Sequence, residues 1–247
     1  MTAVDELMQD PPRFMRLNHV VYKGLMPRAT GSARFLLVSV AGKARRRGGV
    51  LLGKSIGKAD AGAYEIRYVG GFLSAEQRDA GEEFTAFWGG FQAGGAAACT
   101  LDNNGPELML TPELTGCTIA FASGANGQAR FSHYNLKAGK RTLEAPGMVA
   151  AVLGDYPTDR DVGILTKEQY YGKSSADMRD QLSSGQRLIK KVVDKSGIWA
   201  RHDGPSANVI GWRNNGVWEF WVQYSDVKGG VRQVLDVRRL TPGINTG

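Results

Sequence analysis

Long apolar runs are missing from this sequence, and so is a secretory leader. No stretch of about 18 apolar residues occurs, which excludes a transmembrane helix. The N-terminal stretch MTAVDELMQDPPRF has early acidic residues and no apolar core of the kind that a cleaved signal needs. We therefore expect a protein with no membrane span, which is cytoplasmic in its producer or secreted without a cleaved signal.

Cysteine and histidine are scarce, with two and three copies in 247 residues. The one disulfide that two cysteines allow, Cys99 with Cys117, would need an oxidising compartment that the N-terminus does not indicate. We expect neither a cofactor nor a metal, so any chemistry must come from side chains alone.

Glycine and positive charge are abundant. The 33 glycines accompany short runs rich in Val, Ile, Tyr, Phe and Trp, which favours a turn-rich, mostly β architecture. The net charge of +7 favours an anionic partner, either nucleic acid, a membrane surface or an acidic protein. The densest basic run, residues 43–47, is typical of a solvated loop. The aromatic residues resemble strand-packing residues more than a base-stacking motif, so no nucleic acid is required.

Hydrophobic patterning predicts an α+β protein with a β-sandwich core and helices packed on the outside. Predicted strands cover residues 18–22, 34–40, 64–69, 107–110, 117–122, 130–134 and 149–153, and a C-terminal meander covers 208–212, 217–224 and 231–240. Capping boxes predict a helix from Ser74 to about residue 88 and another after Thr166, and residues 176–193 form a further helical segment. We predict a loose N-terminal arm over residues 1–15 and a single catalytic domain over 16–247.

The segment GGVLLGKS, residues 48–55, matches the phosphate-loop pattern of nucleotide-binding proteins. A phosphate loop leaves a buried strand and feeds a helix whose N-terminus faces the phosphate. Here AGKARRR precedes the match, and IGKADAGA follows it where a helix should begin. We therefore interpret residues 50–52 as a glycine-punctuated strand instead of a nucleotide site.

Cys117 stands sixteen residues before His133 in the stretch LTPELTGCTIAFASGANGQARFSHYN. The segment SGANGQ lies between two β-prone segments and predicts a hairpin. If paired positions sum to 250, around a five-residue loop over 123–127, Cys117 lies opposite His133 and both side chains share a face. If a two-residue turn makes the sum 253, His133 lies opposite Ala120 and the two side chains point to opposite faces. The catalytic hypothesis therefore requires the first parity.

A thiol facing an imidazole supports acyl transfer, because the imidazole takes the thiol proton and the thiolate attacks a carbonyl. Thr111 and Asn135 are candidates for the residue that holds the imidazole in the right tautomer. Taken alone, Cys117 is more often a small buried side chain, and His133 a packed, hydrogen-bonded ring.

The run TPELTGC resembles the Leu-Ser-Gly-Cys signature of the glutamine deamidase toxins, which include Burkholderia lethal factor and the catalytic domain of cytotoxic necrotizing factor. It is also similar to the Thr, Cys and His arrangement of the chemoreceptor glutamine deamidases. The resemblance implies a β-sandwich in which Cys117 is the nucleophile, His133 the base, and Thr111 the residue whose oxygen orients the histidine. Thr115 stands where the signature has Ser.

The resemblance also implies a toxin or effector that works as a monomer in a host cytoplasm. Its partner would be a protein with a reactive glutamine, such as a Rho-type GTPase or a translation initiation helicase. Two alternatives remain open. One is another thiol enzyme, such as a transglutaminase or peptidase, and the other is a non-enzymatic basic β-domain that binds an anionic partner and buries Cys117.

Overall fold

The structure is a computed structural model that describes residues 1–23, 26–39, 62–70, 73–124, 127–139, 141–157, 161–170, 206–228 and 231–244. The helices are α1 (Ala3–Gln9), α2 (Pro11–Leu17), α3 (Ala75–Asp79), α4 (Ala145–Asp155) and α5 (Lys167–Tyr170). The strands are β1 (Asn18–Tyr22), β2 (Gly31–Ser39), β3 (Gly62–Tyr68), β4 (Gly81–Trp88), β5 (Ala96–Leu101), β6 (Leu108–Leu110), β7 (Thr118–Ser123), β8 (Ala129–Tyr134), β9 (Lys137–Ala138), β10 (Arg141–Thr142), β11 (Val162–Leu165), β12 (Ser206–Asn214), β13 (Val217–Lys228), β14 (Val231–Leu240) and β15 (Gly243–Ile244).

Two sheets form the body of the protein. Sheet A has the order β1-β3-β2-β4-β6-β12-β13-β14, with mixed parallel and antiparallel pairs, and sheet B has the order β15-β11-β7-β8-β5. Strands β9 and β10 form a separate two-stranded ribbon. No helix among the described residues is long and apolar enough to cross a membrane.

Aromatic side chains fill the space between the two sheets. Phe121 and Phe131 of sheet B both stack on Phe220 of sheet A, with ring centroids 4.5 Å and 5.9 Å from it. Cys117 belongs to the same buried cluster. On the opposite face of sheet B, Met148 and Val152 of α4 pack against β7 and β8. The predicted α+β class, with a sheet core and helices outside it, is confirmed.

The first 15 residues are not a loose arm, and that prediction is wrong. Thr2 and Asp5 form a capping box that begins α1. Pro11 and Pro12 lie in the first turn of α2, where the ring fixes a helical φ and the missing N–H costs no hydrogen bond. Helices α1 and α2 bury Leu7, Phe14 and Met15 against sheet A, in the same hydrophobic cluster as its Phe35 and Trp88. The N-terminal helices are therefore part of the packed protein.

Two other local predictions are also wrong. The helix predicted from Ser74 ends at Asp79, and residues 81–88 form β4, because apolar side chains there alternate with period two towards the core. The strand predicted over 149–153 belongs to α4, whose buried Met148 and Val152 have helical spacing. The helix after Thr166 and the C-terminal meander are confirmed. Residues 43–55 and 176–193 lie outside the described part of the chain.

Buried amide side chains hold β1 next to the far strands of sheet A. Gln223 of β13 donates through Nε2 to the carbonyls of Met15 and Asn18 at 2.7 Å and 2.8 Å, and its Oε1 accepts from the Val20 N–H at 3.3 Å. Asn208 of β12 donates to the Val20 carbonyl at 2.9 Å. Sheet A therefore curls so that side chains of β12 and β13 bond the backbone of β1 at Asn18 and Val20.

Candidate functional site

Strands β7 and β8 form the predicted hairpin with a register that sums to 252, so Ile119 lies opposite His133. Neither of the two sums considered from the sequence, 250 or 253, is observed. The five-residue loop covers 124–128 instead of 123–127, and the Gly124 N–H donates to the Gln128 carbonyl at 2.8 Å across it. The parity is nevertheless the one that the catalytic hypothesis requires.

Cys117 and His133 lie on the same face of sheet B. Cys117 immediately precedes β7, and extending the register by one position beyond the pair of Thr118 and Tyr134 places it across from Asn135. His133 is then its diagonal neighbour, a relation in which Cα atoms are typically about 7–8 Å apart and side chains approach more closely. This face is turned to the core between the sheets, where Cys117 packs with Ile119 and Phe131.

The His133 ring is fixed by a backbone carbonyl. Its Nδ1 lies 2.9 Å from the carbonyl oxygen of Gly90, and the residue is 1% exposed. Burial lowers the pKa of His133 to about 4, so the ring is neutral near pH 7. Because a carbonyl only accepts, the proton of the neutral ring resides on Nδ1. Nε2 is therefore a buried acceptor, and it has no hydrogen-bond partner in the described structure.

Gly89 and Gly90, the two residues that follow β4, set the position of the Gly90 carbonyl. A Cβ on Gly89 would lie 2.8 Å from the Phe131 ring, so only glycine permits this close approach of chain to sheet B. Gly90 has a φ of +60° in the left-handed region. The next residue, Phe91, is 45% exposed, and its ring meets His133 edge to face at 5.4 Å between centroids. The segment thus orients the imidazole and covers it from solvent.

The Thr111 hydroxyl forms its described hydrogen bonds with residues other than His133. Its hydroxyl is within 3.2 Å of the Val209 carbonyl and 3.1 Å of the Pro112 carbonyl. Its side chain is fully buried, and the described hydrogen bonds link it to β12 and not to His133. The acceptor at the histidine Nδ1 is Gly90, where the family resemblance led us to expect an oxygen of Thr111.

Cys117 opens onto a cavity of about 310 Å³. The cavity is lined by Phe91, Pro112, Glu113, Thr115, Gly116, Cys117, Asn135 and Thr142. Burial raises the pKa of the Cys117 thiol to about 12, so it is protonated near pH 7. Near pH 7, Cys117 is therefore a neutral thiol and His133 a neutral imidazole.

Cys99 offers a contrast within the same chain. It is a free, buried thiol on β5, and burial raises its pKa to about 11. Its sulfur lies 3.8 Å from the neighbouring Thr100 carbonyl, and it does not line the cavity. Cys117 is likewise free, so the two cysteines form no disulfide.

Tyr170 contacts the backbone that carries Cys117, and sequence reasoning did not identify it. Its hydroxyl accepts from the Gly116 N–H at 2.8 Å and donates to the Cys117 carbonyl at 2.8 Å. The one available signal was the Thr166 capping box, which predicted the short helix that ends at Tyr170 but not its contact. Within the described residues, no group of three or more His, Cys, Asp or Glu side chains could hold a metal ion.

The fold and the site together define an α+β sandwich with a thiol and an imidazole on the inner face of one sheet. No protein-family model matches the chain, and no curated protein matches it. Among solved structures, it is similar to the C-terminal domain of CNFy from Yersinia pseudotuberculosis, with a TM-score of 0.46 and 12% sequence identity over 97% of each chain. A similarity of this degree carries no functional information, so the side chains of the site must supply it.

Proposed function

We propose that this chain is a cysteine-dependent protein glutamine deamidase in which Cys117 is the nucleophile and His133 the general base. One observation carries the proposal. The Gly90 carbonyl holds the His133 proton on Nδ1, which leaves Nε2 buried, without a partner among the described residues, on the sheet face that Cys117 shares. A base for a thiol needs this tautomer, because its free nitrogen must accept the proton.

The proposed reaction has two halves. Nε2 of His133 takes the thiol proton while Sγ of Cys117 attacks the side-chain carbonyl carbon of glutamine, forming a C–S bond. The C–N bond then breaks, and ammonia leaves with the proton that the imidazolium returns. In the second half, His133 deprotonates a water that attacks the thioester, and the thiol is regenerated as glutamate is released.

The cavity suits a primary amide on a short apolar stem. Phe91 presents an exposed aromatic ring at its edge, against which the methylene groups of a glutamine can pack. Asn135 lies across from Cys117 in the extended register and lines the same cavity. Its side-chain amide has both a donor and an acceptor, which complement the acceptor and donor of a substrate amide.

The wider role that we propose follows from the resemblance of LTGC to the deamidase toxins. The chain would act as a monomeric bacterial toxin or effector in a host cytoplasm, on a target protein such as a Rho-type GTPase or a translation initiation helicase. It would need no nucleic acid and no cofactor. In this proposal Thr111 has a supporting role, since its hydroxyl bonds anchor the Pro112 edge of the cavity to β12.

The proposal predicts that Cys117→Ser abolishes deamidation. We expect ammonia release and a gain of about 1 Da at a glutamine of the target, measured by peptide mapping of a host-cell lysate, to fall at least about a thousandfold. Cys99→Ser is the matched control, because it changes the other buried cysteine of the same core without altering the cavity.

Other products would point to another function. Incorporation of a primary amine at glutamine would identify a transglutaminase, and cleavage of the target backbone would identify a peptidase. Equal deamidation by Cys117→Ser and the parent chain would remove the thiol mechanism, and no deamidation by the parent chain would leave the basic binding domain as the better explanation.

A further inference from the structure

The Tyr170 hydroxyl bridges two backbone groups close to Cys117, the Gly116 N–H and the Cys117 carbonyl. We propose that Tyr170 is a positioning residue for the nucleophile, which acts by holding the Gly116–Cys117 backbone so that Sγ stays within reach of His133. The inference rests on the proposed thiol and imidazole chemistry. Tyr170 is 5% exposed, and its single hydroxyl makes both bonds at 2.8 Å, one as acceptor and one as donor.

The antiparallel pairing of β7 and β11 brings Tyr170 to this position. Leu165, the last residue of β11, lies opposite Ile119 near the start of β7. The chain then passes through Thr166 into α5, whose four residues end at Tyr170. The end of β11 and the start of β7 lie at the same end of sheet B. The Tyr170 hydroxyl can therefore reach the backbone of Cys117.

The Cys117 backbone needs such a contact because it lies outside the ladder. The first ladder position of β7 is Thr118, which pairs with Tyr134. Gly116, the residue before Cys117, has a φ of +149°, and no described heavy atom lies within 4 Å of the position of a Cβ, so its conformation, and not crowding, requires glycine. Gly116 has no side chain that could pack and hold this turn in place. The two hydrogen bonds of the Tyr170 hydroxyl hold it instead. Displacements of about 1 Å in such groups can cost a hundredfold in rate.

The same contact limits where an oxyanion can be stabilised. The Gly116 N–H is committed to Tyr170, so it is not available to the developing charge on a substrate carbonyl. Tyr170 therefore serves the position of the sulfur and does not belong to the groups that touch the reacting atoms.

The test measures how strongly His133 accelerates alkylation of Cys117 by iodoacetamide, a small primary amide that requires no target protein. In this reaction Sγ displaces iodide to form a C–S bond, and Nε2 of His133 takes the proton. The acceleration is the ratio of alkylation rates in the parent chain and in His133→Asn. The same ratio is measured in the Tyr170→Phe background, with both cysteines followed by mass spectrometry. We expect the ratio to fall at least about tenfold, because a misplaced base contributes less.

Tyr156→Phe is the matched control. It removes a buried tyrosine hydroxyl that lies 2.7 Å from Ser132 Oγ on the other face of sheet B. The control should leave the ratio unchanged, and labelling of Cys99 reports any general opening of the core. A ratio unchanged in Tyr170→Phe, or reduced equally in Tyr156→Phe, would overturn the positioning role.

The outcomes also separate this inference from the proposed function. A Tyr170-dependent ratio without any glutamine deamidation would keep the positioning role and overturn only the deamidase assignment. A ratio of one in the parent chain would show that Cys117 and His133 are not coupled, which overturns both.

Discussion

Burial shifts the pKa values of Cys117 and His133 in opposite directions, and both shifts favour the uncharged form. The pKa of the thiol rises to about 12 and that of the imidazole falls to about 4. A preformed thiolate–imidazolium pair is therefore disfavoured in the free protein. In the mechanism that we propose, the thiol proton therefore moves to His133 only as the sulfur attacks the substrate.

The buried His133 should make the protein sensitive to acid. The unfolded chain takes up this proton near pH 6.5 and the folded chain only near pH 4, so between these values the unfolded state binds more protons. Stability is thus lost as the pH falls through that window, by up to about 3 kcal/mol from this one group. We expect urea unfolding to show a larger acid loss in the parent chain than in His133→Asn. Parallel losses would contradict the buried neutral ring.

At the residue scale, the sequence drew attention to Cys117 and His133 but not to the groups that contact them. The side-chain period of two allowed only two relations between Cys117 and His133, a shared face or opposite faces, and the catalytic hypothesis required the shared face. The register could not be predicted, because a one-residue shift of the loop changes the paired positions by two. Gly90 lies 43 residues from His133 along the chain, and no local pattern marks a carbonyl as an acceptor for a distant ring.

The position of β7 depends on how closely its residue Phe121 packs against the neighbouring elements. Gly163 of β11 lies opposite Phe121, whose ring covers the glycine so closely that a Cβ there would lie 2.1 Å from it. The same ring stacks on Phe220 and so links sheets B and A. The position of β7, which follows Cys117, therefore depends on the glycine at position 163 of β11.

Gly163→Ala should destabilise the protein by about 1–3 kcal/mol, because the new methyl group forces the Phe121 ring out of its stack. Gly154→Ala is a matched control in α4, where a Cβ would meet no heavy atom of the described residues within 4 Å outside its own helix backbone. It should be neutral or stabilising by up to about 1 kcal/mol, because alanine is the better helix former. Free energies of unfolding from urea titration test both, and equal effects would contradict the close packing of Phe121.

At the element scale, local patterns were least reliable where helix and strand signals overlap. The run from Val149 to Leu153 is apolar enough for a buried strand, but Pro146 in the first turn and tertiary packing of Met148 and Val152 select the helix α4. After Asp79 the opposite occurs, since sheet pairing with β2 overrides the helical start. Where alternation and turn residues agree, as in β12 to β14, the prediction held.

At the scale of the whole molecule, Gln223 secures the curl of sheet A. It is fully buried and bonds three backbone groups, the carbonyls of Met15 and Asn18 and the Val20 N–H. Gln223→Leu would keep the side-chain volume but leave these three groups without that partner. Each unsatisfied buried group costs about 1–3 kcal/mol, so we expect a loss of at least about 3 kcal/mol.

Urea titration of Gln223→Leu against Gln128→Leu provides the measurement, because Gln128 is an exposed glutamine. The control should change the free energy of unfolding by less than about 0.5 kcal/mol. A similarly small change in Gln223→Leu would show that the backbone of β1 does not need its side-chain partners.

The bonds of Gln223 also bear on the order of folding. They join residues 203 to 208 positions apart in the chain, and the Asn208 bond to Val20 spans 188. Contacts of such long range form slowly, because the entropy of closing the loop is lost before the contact is gained. On a ribosome, β1 and the two helices before it emerge long before their partners are synthesised. Until those partners are made, the apolar side chains of these elements lack part of their packing. The chain is most prone to aggregation during this interval.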